Sequence, residues 1–144
     1  MYIFGKRVSE YVAFSRLFLS LILVVGIVRL ALSLAGVPNS ILKWVSITAA
    51  IWIGVLYYAI RVHTSGFGSC KQLLPIYVLQ SLVAQAIIVP AIVLAILTGT
   101  DNIYSMPEYR GGRVGQFLFG ADYHGRTWFH AGAHLVFGTT IGPL

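Results

Sequence analysis

Three imidazoles and one carboxylate, Asp122, His124, His130 and His134, fall within thirteen residues of this sequence. His130 and His134 are four apart, so on a helix they share one face and could chelate a single metal ion, with His124 and Asp122 closing the shell from the preceding loop. Neutral imidazole suits zinc, copper, iron or nickel, which leaves the identity of a transition metal open. Haem is a narrower version of the same chemistry, because it wants two axial histidines, usually from different helices. His63 is the only histidine outside the cluster, and its segment is expected at the opposite membrane face, so a second subunit would have to supply an axial ligand. No HExxH motif is present to offer a metalloprotease base.

The same residues also read as helix-packing elements. His130, His134, Gly138 and Gly142 repeat at intervals of four, which sets the histidines on the stripe of a Gly-x-x-x-Gly close-packing motif. Ser46, Ala50 and Gly54 form a second small-residue stripe, and Gln80 and Gln85 place amides where they can bond across helices. Arg29 sits inside an apolar run, where it is expected to snorkel toward the interface or to pair with Asp101 or Asp122.

The elements that must position these groups follow from composition. The chain has 144 residues, 58% of them hydrophobic and only 10% charged, with a mean hydropathy of +0.83. Soluble domains carry about 25% charged residues, so this much apolar surface calls for a bilayer. The formal charge of +6 is scattered at the ends of apolar runs (Lys6, Arg7, Arg16, Lys43, Arg61, Lys71), as expected for lipid-facing anchors. Nucleic acid is therefore not an expected partner. A single cysteine, Cys70, rules out an internal disulfide or a CxxC pair.

Residues 17–35 form a 19-residue apolar run, long enough to cross a hydrocarbon core of about 30 Å and longer than a signal-peptide core, so it is expected to be retained. Residues 1–16 mix basic and aromatic side chains and read as an interfacial helix leading into that span. A breaker turn at 36–40 precedes a second span at 41–60, and a Gly- and Ser-rich loop precedes a third at 72–98, with Pro90 inside it predicting a kink. Residues 99–126 form the one substantial polar loop, within which 114–119 reads as a short interfacial helix. Residues 127–144 give a fourth, marginal span.

The expected fold is thus all-α: one polytopic integral membrane helical bundle, residues 1–144, with three to four transmembrane helices and an N-terminal interfacial helix. Lysine and arginine counts in the flanks place the N-terminus in the cytoplasm and the chain in a plasma (inner) membrane. The spans lack Asp and Glu, which disfavours a proton-coupled carrier, and no nucleophile elbow, P-loop or dinucleotide fingerprint occurs. The leading expectation is a non-enzymatic accessory or scaffold subunit that associates with other membrane subunits or with copies of itself. The alternatives are a metal- or haem-binding protein in electron transfer or metal handling, using His124, His130 and His134, and a lipid-active enzyme with His and Asp at the interface.

Overall fold

A computed structural model describes residues 1–106, 118 and 123–136. Their order is β1 (Tyr2–Ile3), β2 (Lys6–Arg7), α1 (Val8–Leu34), α2 (Asn39–Leu42), α3 (Ile47–Thr64), a 3-10 turn (Cys70–Gln72), α4 (Leu73–Thr98) and α5 (Tyr123–Val136). Three stretches, Val8–Leu34, Asn39–Thr64 and Cys70–Thr98, are long and apolar enough to cross a membrane. Apolar runs of this kind have no water to satisfy their backbone, and the helix satisfies each N–H and C=O within the segment.

The N-terminus departs from the expected interfacial helix over 1–16. Tyr2 pairs with Arg7 and Ile3 with Lys6 in an antiparallel hairpin, and helix begins only at Val8. The two-residue loop puts Phe4 at φ 47° and Gly5 at φ 82°, the double left-handed turn that tight hairpins need. Glycine adopts it freely, whereas phenylalanine does not, so the residue pattern does not announce it. Tertiary bonds hold the hairpin in place: the Tyr11 hydroxyl donates to the Ile3 carbonyl at 2.9 Å, and Gln72 Nε2 to the Phe4 carbonyl at 3.2 Å.

The stretch expected as one span over 41–60 is interrupted. α2 ends at Leu42, Ser46 takes an extended conformation (φ −109°, ψ 118°), and its hydroxyl caps α3 by accepting from the Ala49 N–H at 3.2 Å. Serine competes with helical backbone for hydrogen bonds and favours this position over a helix interior. By contrast, α4 stays helical through Pro90.

α1 packs on α3 and α4, α3 on α4, and α5 on α4. From α1 comes one narrow stripe, Tyr11, Ser15, Phe18, Ile22 and Gly26, spaced at three and four residues. The core then divides in two. An aliphatic cluster of Ile22, Ile47, Ile51, Ala84, Ile87, Ile88 and Ile92 fills one part, and an aromatic cluster of Tyr11, Phe18 and Tyr58 with Phe14 and Phe67 fills the other.

Gly26 and Gly54 set how closely the helices approach. A Cβ on Gly26 would lie 2.5 Å from Ile87 Cδ1 and 3.0 Å from Ile47 Cδ1. One on Gly54 would meet the Gln80 amide at 2.8 Å and Phe18 Cδ1 at 2.9 Å. Both glycines are therefore places where a neighbouring side chain occupies the space of the missing Cβ.

Candidate functional site

The histidine pair is built by α5. Thr127 and Ala131, one turn apart, are buried, and His130 and His134 are partly exposed. The two imidazoles stand edge to face with ring centres 4.6 Å apart. His134 Nδ1 lies 3.0 Å from Gln85 Oε1 on α4, a contact in which the Nδ1–H tautomer donates to the amide oxygen. Gln85 is halfway along α4, so His134 meets the packed helices at mid-length rather than at a membrane face.

Other members of the expected cluster are placed less fully. His124 belongs to α5 by its backbone, while its side chain, Asp122, Gly138, Gly142 and, apart from the exposed helical Leu118, the segment 114–119 lie outside the described residues. Among the described residues no group of three or more His, Cys, Asp or Glu side chains gathers as a metal would require. Of the second stripe, Ala50 and Gly54 are buried on α3, whereas Ser46 is spent as its cap. Gln80 is fully buried against Gly54, and among the described residues neither of its amide atoms has a hydrogen-bond partner.

A second polar constellation was not legible in the sequence. The start of the polar loop folds back against the helices: Asn102, Ile103, Tyr104 and Ser105 are all buried. Asn102 Nδ2 donates to the Ala91 carbonyl at 2.7 Å, and Asn102 Oδ1 accepts from the Tyr104 N–H at 2.9 Å. The Ile103 N–H donates to Ser33 Oγ at 2.8 Å, and the Tyr104 hydroxyl donates to the Gly26 carbonyl at 3.1 Å. Ser105 Oγ accepts from the Asn102 N–H and donates to Asp101 Oδ1. Asparagine and serine three apart can close such a turn through their own side chains, which was the one local signal available.

Arg29 belongs to this constellation. Its guanidinium carbon lies 5.4 Å from the centre of the Tyr104 ring, a cation on an aromatic face, while Asp122, one of the two carboxylates expected to pair with it, lies outside the described residues. Burial pushes the Tyr104 phenol up to about 12, with Arg29 acting in the opposite direction, so the hydroxyl is a proton donor throughout the physiological range. An ion pair joins Lys6 to Glu10 at 4.0 Å at the N-terminal end of α1.

At the other end of the helices, Cys70 Sγ and His63 Nε2 come within 3.4 Å, because α3 ends at Thr64 and the 3-10 turn brings the chain back. Both are exposed, and six residues, 64–69, with two glycines among them, separate them in the sequence. Comparison with protein families, with characterised proteins and with solved structures finds no match to this chain.

Proposed function

We propose that this chain is a non-enzymatic accessory or scaffold subunit of a larger membrane complex, a helical bundle with its N-terminus on the cytoplasmic side of a plasma (inner) membrane. The observation that supports it is where the interior polar groups go. His134 with Gln85, Asn102 with Ala91, Tyr104 with Gly26 and Ser33 with Ile103 each tie one element to another. Beyond Glu10 in the first turn of α1, the described helices carry no Asp or Glu to bind a cation or relay a proton. These four contacts stiffen the frame, while the Gln80 amide, packed on Gly54, has no hydrogen-bond partner among the described residues.

α1 also offers surface to a partner. Outside its single buried stripe, Leu17, Leu21, Val24, Ile27 and Val28 face outward. The test is the native size and subunit composition of the protein extracted from its source membrane in a mild detergent. Co-migration with other chains is the expected result; a lone monomer would overturn the reading.

A metal or haem site is the second reading, and one contact favours it. Metal-binding histidines commonly donate their other ring N–H to a carbonyl, and His134 Nδ1, 3.0 Å from Gln85 Oε1, is placed for that bond. Elemental analysis and a visible spectrum of the purified protein decide it: bound metal or a haem absorption band that disappears in His130→Ala/His134→Ala supports it, and metal-free, colourless protein rejects it.

A further inference from the structure

Between α1 and α3, near the aromatic cluster, lies a cleft of about 410 Å³ lined by Ala13, Phe14, Arg16, Leu17, Tyr57, Tyr58 and Arg61. Two antiparallel helices each contribute one guanidinium to it. Arg61 leans over the Tyr57 ring, its guanidinium carbon 6.0 Å from the ring centre, while Phe18 packs on Tyr57 from the side at 5.4 Å. Tyr57 is thereby held between a core aromatic and a cation. No acidic side chain lines the cleft, and Glu10, the nearest acid in sequence, is engaged by Lys6 and the Arg7 N–H.

Location adds a second constraint. The cleft opens at the end of the helices that also carries Lys6, Arg7 and Lys71, and its apolar wall of Ala13, Phe14 and Leu17 continues along α1 into exposed Leu21 and Val24. Each guanidinium offers five N–H donors and no acceptor, and the Tyr57 hydroxyl can add another donor. A ligand that fits must bring acceptor oxygens, negative charge and an apolar tail running down α1. Simple snorkelling would place each arginine separately in the headgroup layer; here both line one cavity.

We propose that this cleft is a binding site for the phosphate of an anionic phospholipid, held between Arg16 and Arg61 with its acyl chains against α1. A headgroup without an ammonium fits best, as in phosphatidylglycerol, because a choline ammonium would be set beside two guanidinium groups. The site stands on the membrane-crossing helices alone and holds whether the chain works in a complex or by itself.

The full chain, purified in a mild detergent, is titrated with phosphatidylglycerol and with phosphatidylcholine of the same acyl composition, and retained lipid is counted by native mass spectrometry. The wild type should retain phosphatidylglycerol preferentially, with the preference falling roughly fivefold for each of Arg16→Gln and Arg61→Gln. Arg16→Gln/Arg61→Gln should bind both lipids alike, and Arg16→Lys/Arg61→Lys should keep part of the preference. Lys43→Gln removes a cation stacked on Trp44 and outside the cleft, so it should change nothing.

Both arginines are exposed, so folding of the variants is expected and is checked by helical circular dichroism and retention volume. An undiminished phosphatidylglycerol preference in the folded double glutamine variant would overturn the proposal. So would displacement of the lipid by inorganic phosphate in millimolar excess, since that result would make the cleft a site for the free anion.

Discussion

The two ends of the packed helices are closed by opposite means. At the end that carries the N-terminal hairpin, ring contacts join the helices while the Tyr11 hydroxyl and Gln72 tie down the hairpin carbonyls: Phe14 stacks on Phe67 with centres 3.9 Å apart, Tyr11 meets Phe67 edge-on at 5.6 Å, and Lys6 caps the same ring at 4.5 Å. At the far end, the 99–106 loop is held by directed hydrogen bonds: Asn102 and Tyr104 donate to main-chain carbonyls in the interior, and the Ile103 N–H donates to the half-buried Ser33 Oγ. Aromatic contact tolerates small shifts and leaves a cleft beside it, whereas a buried hydrogen bond is lost outright when its partner goes. The difference separates a yielding end, where a ligand can enter, from a fixed end that sets the helix register.

Four substitutions test that contrast, in decreasing order of effect. Asn102→Ala should cost about 3 kcal/mol, because it leaves both the Ala91 carbonyl and the Tyr104 N–H without a side-chain partner in the interior. Thermal unfolding in detergent measures the loss, and hydrogen exchange should show it concentrated in 99–106. Gly26→Ala should cost about 2 kcal/mol, since the new methyl would lie 2.5 Å from Ile87 Cδ1 and 3.0 Å from Ile47 Cδ1, and both side chains would have to shift. A fully stable Gly26→Ala protein would mean that the fixed end yields as readily as the other.

Phe67→Ala should cost about 1 kcal/mol through its lost ring contacts and should loosen exchange in residues 2–7 while leaving 99–106 protected. Equal loosening of both segments would erase the distinction between the ends. Gln85→Leu should be smallest, about 0.6 kcal/mol, the usual worth of one hydrogen bond between membrane helices. A much larger cost there would indicate that the His134 contact carries more than helix association.

Composition made the long apolar helices legible, because a run such as 17–35 has no stable alternative to helix away from water. Less was legible at the ends of elements. The hairpin at 2–7 depends on Phe4 accepting a left-handed backbone, which its own propensity argues against and its partners Tyr11 and Gln72 enforce. The break at Ser46 depends on a cap that a hydropathy window averages away. Polar composition marked 99–126 as a loop but carried no sign that Asn102 and Tyr104 would be buried, since their partners are main-chain carbonyls on two distant helices.

The candidate sites show the same division. Spacing alone placed His130 and His134 on one face, because a helix fixes neighbours four apart. It could not pair His134 with Gln85, stack Arg29 on Tyr104, bring His63 to Cys70 or set Arg16 and Arg61 in one cleft. The sequence by itself determined that the chain is mostly helical, that three to four helices could suit a membrane, and that those helices hold almost no acid; the described residues hold three long enough. Only the tertiary structure decided which faces meet, because α1 and α4 are apolar on nearly every side, and where hydrophobicity does not choose a face, close approach at Gly26 and Gly54 and a few directed hydrogen bonds must.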